Sequence, residues 1–235
     1  MKSQKKITIK PFLNQNLIPE STDGKGKDYY PLYLQVTYDR KNTQLRSKYG
    51  MYYESLNDAG LTKLIAFETK VLTKIIEFET SQSSGEYDLK GLKNKYTLYS
   101  TSVHYAVDEY LRMKLQKANK RSNNELIYVL KYEGFKVDFN KLYEASKLLI
   151  PNLAEKISTE FEEEIEAFTW MNKLHPMSNS EYSFATLIDW IDNSFKSKFE
   201  QSLNMEFNGN KKRVAATLKT IDNIVTERLK ELKTV

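Results

Sequence analysis

The sequence predicts an α+β protein: a small three-stranded antiparallel sheet plus one helix at the N-terminus, followed by an all-helical domain. Three observations carry this. Three stretches within residues 5–54 alternate apolar and polar residues, the period of two that sorts side chains onto the two faces of a strand. From Leu61 the apolar spacing changes to the three-and-four pattern of an amphipathic helix. No β-rich stretch follows residue 54.

The elements follow in order. Lys6-Ile-Thr-Ile-Lys10 is a first strand, with Ile7 and Ile9 facing inward. Residues 14–27 are rich in Asn, Gly, Ser and charge and form a loop. Its Gly24-Lys25-Gly26-Lys27 lacks the glycine and lysine spacing of a phosphate-cradling motif. In the second strand, from Tyr30, Leu32, Leu34, Val36 and Tyr38 alternate with Tyr33, Gln35 and Thr37. After a polar turn at Asp39-Arg40-Lys41-Asn42, Leu45, Ser47 and Tyr49 alternate with Gln44, Arg46 and Lys48. One face of this sheet can pack on a helix, while the other offers donors and cations to a polyanion.

Leu61, Leu64, Ile65, Val71, Leu72, Ile75 and Phe78 fall on one face of the covering helix. Asn57 or Asp58 is its expected cap, and Gln82-Ser-Ser-Gly85 its end. This places a first domain over residues 1–80 and an all-α domain over residues 86–235. Helices are expected near 88–98, 101–117, 124–133, 139–150, 153–173, 181–203 and 210–233. Asp138 or Asn140 caps one of them, and Ser180 opens another. The last carries Val214, Leu218, Ile221, Val225, Leu229 and Leu232 on one stripe, read as packing within its own domain.

The net charge of +5 is unevenly spread. Residues 1–50 hold ten Lys and Arg against four Asp and Glu, and the rest of the chain is close to neutral. A basic, strand-rich front end points to nucleic acid or another acidic partner. There is no cysteine, which removes disulfides, thiolate chemistry and Cys-type zinc sites together. No apolar run approaches the roughly 20 residues a membrane helix needs, so no membrane partner is expected and the expected location is cytoplasmic.

Little in the chain points to catalysis. The two histidines, His104 and His175, are read as structural or surface residues, and no Gly-x-Ser-x-Gly elbow accompanies them. The acid run Glu160, Glu162, Glu163, Glu164 and Glu166 fans around one helix and reads as a solvated face. Lys117-Ala-Asn-Lys-Arg-Ser122 and Lys211-Lys-Arg213 are further basic clusters. The second is set against the dipole at a helix N-terminus. Most of the sixteen tyrosines read as packing residues, Tyr33 on the polar strand face excepted.

Ile7-Thr-Ile-Lys10, Tyr30-Pro-Leu-Tyr-Leu-Gln-Val-Thr-Tyr38 and Leu45-Arg-Ser-Lys-Tyr-Gly-Met51 together resemble the N-terminal arm-type DNA-binding domain of tyrosine recombinases (integrases) of Bacteroidetes phages and conjugative elements. The resemblance covers about residues 5–80. It implies a sheet laid into the DNA major groove by its outward set, here Tyr33, Gln35, Thr37, Gln44, Arg46 and Lys48. Arg46 suits guanine, and Gln35 and Gln44 suit adenine. Lys6, Lys10, Arg40, Lys41 and Lys48 suit phosphates. Gln35 stands where that family often has Arg. The segment from Ser183 to Lys219 also resembles the helical core-binding domain of the same recombinases.

Neither histidine begins the His-x-x-Arg of the recombinase catalytic domain, since Val107 and Ser178 stand at the third position after each. The expectation is therefore a DNA-binding protein without strand cleavage, a truncated recombinase or an accessory protein, needing no cofactor and no metal. Double-stranded DNA is the expected partner, with a homo-oligomer or a mobile-element or phage protein as the second class of partner. The rival expectation is a structural or interaction protein of a phage or mobile element acting through its helical domain.

Overall fold

The computed structural model describes residues 6–19, 28–58, 60–83, 87–118, 137–150, 152–177 and 182–233. Lys2, Lys5, the Gly24–Lys27 loop, the helix expected at 124–133, Ser180 and most of the Lys117–Ser122 loop lie outside them. The chain is α+β and forms two compact units. One comprises residues 1–100 and 178–188, the other residues 101–177 and 189–235.

The first unit holds the sheet. Strands β1 (Ile7–Leu13), β2 (Tyr30–Tyr38) and β3 (Lys41–Arg46) are antiparallel in the order β1-β2-β3, and the short β4 (Tyr52–Tyr53) pairs with the start of β2. Pro11 is accommodated because β1 lies at the border of the sheet. The expected four-residue turn is tighter than its sequence suggests. Only Asp39 and Arg40 turn, both with positive φ (50° and 65°), and Lys41 already pairs with Tyr38. Positive φ at both central positions is the geometry of a two-residue hairpin whose twist matches the strands.

The alternation read from the sequence holds along the core of β2 and from Gln44 through Lys48. Leu32, Leu34, Val36 and Leu45 are fully or almost fully buried. Helix α1 (Leu61–Gln82) supplies the covering layer, with Leu61 and Leu64 packed on Leu32. Its buried stripe is Leu61, Leu64, Glu68, Val71, Leu72, Ile75 and Ile76, while Ile65 and Phe78 are only partly buried. The expected side-chain cap is absent: Gly60 occupies the cap position, and the Asp58 carboxylate instead accepts the Gly60 amide at 3.1 Å.

This unit is larger than the expected 1–80. Helix α2 (Leu92–Tyr99) and residues 182–188 belong to it. Tyr96 donates its hydroxyl to Glu68, and the rings of Tyr182 and Phe184 pack on those of Tyr49 and Phe67.

The second unit is helical. It contains α3 (Val103–Ala118), α4 (Phe139–Leu149), α5 (Leu153–Lys156) and α6 (Thr159–Leu174). Helix α7 (Leu187–Ile191) carries the chain back into it, followed by α8 (Lys196–Glu206) and α9 (Lys211–Lys233). Two expected helices are each broken in two. Ser158 adopts an extended conformation and caps α6 by accepting the Phe161 amide at 3.2 Å, which separates α5 from α6. In the span 181–203, the Asp192 carboxylate accepts the Ser194 amide at 2.8 Å and Asn193 has φ of 63°. That side-chain turn competes with the helical backbone. Asp138 caps α4 as expected, and Asn210 caps α9 by accepting the Arg213 amide at 3.1 Å.

Helix α9 packs on α3 and α6 through Val214, Leu218, Ile221, Ile224 and Val225, so its stripe serves internal packing. Among the described residues no helix is long and apolar enough to cross a membrane.

His104 is buried in this unit, and neither of its ring nitrogens has a hydrogen-bond partner among the described residues. Burial pushes its pKa down, and burial likewise lowers that of His175, whose Nε2 lies 2.9 Å from Ser202 Oγ. Both rings therefore take a proton less readily when folded than in the unfolded chain, where histidine titrates near 6.5. Their contribution to stability is intact above that pH and is lost as pH falls below it. The expected result is a thermal midpoint that drops between pH 7.5 and 5.5, with His104→Phe dropping less. A flat midpoint across that window would contradict the assignment.

Candidate nucleic-acid interface

The strand register assembles the outward face of the sheet in three cross-strand rows. Thr8, Thr37 and Asn42 form one, Lys10, Gln35 and Gln44 the next, and Phe12, Tyr33 and Arg46 the third. None of these nine residues is acidic. Lys10, Gln44 and Arg46 are exposed, and Tyr33, Gln35 and Thr37 are half-buried by their neighbours. The rings of Phe12 and Tyr33 meet at 5.8 Å. Of the phosphate candidates, Lys6 precedes β1 in the same alternation and Arg40 sits in the turn, both exposed. Lys41, also exposed, falls by register on the opposite face, with Thr43 and Leu45.

Arg46 is the most organised member of the face. Its Nη2 donates to the Tyr52 hydroxyl at 3.2 Å, and its guanidinium carbon lies 5.4 Å from the centre of the Tyr52 ring. Tyr52 is placed there because β4 pairs it with Pro31 on the central strand. A two-residue strand leaves no periodic signal, so nothing in the sequence pattern points to Tyr52.

Lys48 is exposed and follows Arg46 in the same alternation, but it lies beyond the last residue of β3 and its ammonium is engaged by α2 rather than by these rows. β3 ends at Arg46, while the expected alternation of burial continues through Ser47 and Lys48. Ser47 turns inward, donating its amide to the Leu32 carbonyl at 2.9 Å and its hydroxyl to Glu68 Oε1 at 2.8 Å. The amides of Lys48 and Tyr49 point to the same carboxylate oxygen, at 3.0 and 3.4 Å. The Lys48 ammonium donates to the Thr97 carbonyl at 2.7 Å, beside the Tyr49 ring.

Although the residue as a whole is exposed, desolvation of its amine beside the Tyr49 ring pushes Lys48 down to about 8. A far larger fraction of it is uncharged at pH 8 than of an ordinary lysine titrating near 10.4. In competitive acetylation at pH 8, Lys48 is expected to react ahead of Lys10 and Lys41. Slower labelling than either would show that the amine is shielded rather than activated.

In the Lys211–Arg213 cluster, one member is answered internally, while Lys211 and Lys212 are exposed. Arg213 packs over the Phe207 ring at 4.1 Å and donates to Glu166 at 2.9 Å. The hydrogen bonds from Arg213 and Trp170 hold the Glu166 carboxyl below its usual range. The acid run is not uniformly solvated either: Glu164 is buried and accepts from Lys114 at 2.7 Å and Tyr110 at 3.1 Å. The Asp108 carboxylate, one turn after His104, is taken by Arg112.

No family model, curated protein or solved structure matches this chain.

Proposed function

We propose that this chain is a non-catalytic DNA-binding protein of a phage or mobile element, integrase-like or a recombination accessory, acting in the cytoplasm. It lays the outward sheet face into the major groove. The observation that carries this reading is the acid-free face on which Lys10, Gln35, Gln44 and Arg46 stand together, opposite a face whose Leu32, Leu34, Val36 and Leu45 are buried. Amide and guanidinium groups match base edges, and the lysines match phosphates.

A band shift over a salt series tests it. With Lys6, Lys10 and Arg40 as phosphate contacts, log K is expected to fall against log salt with a slope of about −3, near −0.9 for each contact. Failure to retain any duplex at low salt overturns the reading. A stable oligomer by light scattering, without DNA affinity, would return the chain to the class of assembly proteins.

A further inference from the structure

We propose that β3 reads a G·C pair and an A·T pair separated by one base pair, through Arg46 and Gln44, with Tyr52 as the residue that positions Arg46. This rests on the DNA-binding reading above and specifies its substrate.

The inference comes from matching two repeats. Gln44 and Arg46 are consecutive outward residues on one strand, so their side chains leave the backbone roughly 6.8 Å apart. Base pairs in a duplex rise about 3.4 Å, so that separation spans two steps and passes over one pair. The groove is about 12 Å wide and admits a two-stranded ribbon. The β2–β3 pair is such a ribbon, with strands about 4.8 Å apart. β1 then rides at the groove wall, where Thr8 and Lys10 meet phosphates rather than bases.

The two reading residues differ in what they can recognise. A glutamine amide matches the N6 and N7 edge of adenine, and a guanidinium fork matches O6 and N7 of guanine. Gln44 is exposed while its cross-strand neighbour Gln35 is half-buried, so Gln44 is the amide that projects into the groove.

A guanidinium on a flexible stem discriminates poorly unless its orientation is fixed before binding. Tyr52 fixes it from two sides, the hydroxyl accepting from Nη2 and the ring lying against the guanidinium. The contact uses one of the five N–H donors of the group and leaves the others for a base.

Selection from a randomised duplex library with the full chain tests the proposal. A G-N-A pattern, in either strand arrangement, is expected to be enriched. Arg46→Ala should abolish the guanine preference alone, and Gln44→Leu the adenine preference alone. Tyr52→Phe keeps the ring and removes the acceptor. It should lower guanine preference about tenfold while leaving the salt slope and thermal midpoint unchanged, a pattern that a general loss of structure would not give. Retained duplex with no enrichment, with another spacing, or with guanine preference intact in Tyr52→Phe overturns this inference but not DNA binding. A wild-type chain that retains no duplex overturns the parent reading as well.

Discussion

Replacing Glu68 with alanine is expected to destabilise the sheet-bearing unit by about 3–5 kcal/mol, well above the usual cost of a point substitution. Glu68 is fully buried in the apolar stripe of α1. One of its carboxylate oxygens accepts from the Ser47 hydroxyl, the amides of Lys48 and Tyr49, and the Tyr96 hydroxyl. Alanine would leave these donors unpaired and open a void beside them, and each unsatisfied buried group costs about 1–3 kcal/mol. Folded domains hold only about 5–15 kcal/mol in total, so the loss is severe.

Glu68→Gln retains a carbonyl acceptor of nearly the same shape and should lose much less. Tyr96→Phe removes one donor together with its need, for about 1 kcal/mol. Urea unfolding, followed by amide exchange of β2 and β3, gives the ordering. If Glu68→Ala lies within about 1 kcal/mol of wild type, the carboxylate is not what holds the end of β3 to the helices.

Arg46→Ala is expected to weaken binding at a specific site by about 1–3 kcal/mol, roughly 5- to 150-fold, with little change at unrelated sequences. The side chain is exposed and its partner is Tyr52, so folding stability should barely move. Lys10→Ala provides the contrast. It should weaken binding to all sequences alike and make the salt slope shallower by about 0.9. Arg46→Lys should not rescue, because an ammonium has no fork to match two acceptors on one base. Equal losses on specific and random duplexes for Arg46→Ala would assign it to phosphate rather than to base.

The sheet was legible because burial on one side imposes a strict period of two, and Leu32, Leu34, Val36 and Leu45 follow it. That rule gives the side of the sheet for Ser47 and Lys48 too, but not the contacts they make. Lys48 continues the alternation in the sequence and is exposed in the structure, yet its amide is tied to Glu68 and its ammonium to the Thr97 carbonyl, contacts that the alternation does not foretell. A signal for this was present. Glu68 stands among Leu64, Val71, Leu72 and Ile75 on the helix stripe, and a carboxylate on a buried stripe needs donors from a neighbouring segment.

Helix existence was legible from apolar spacing, and helix breaks much less so. Ser158 and Asp192 interrupt helices through single side-chain hydrogen bonds that leave the surrounding pattern intact. The stripe of α9 needed no such local information, because Val214, Leu218, Ile221 and Val225 recur at helical spacing and are all buried.

Among the described residues, β1 borders the sheet, as β3 does on the other side, and an exposed border is where an unrelated or identical chain can add on. Pro11 presents no N–H along that border, and an incoming copy would set its own Lys10 near this one. The same short stretch that turns Lys10 outward thus also guards this border against pairing with copies of itself.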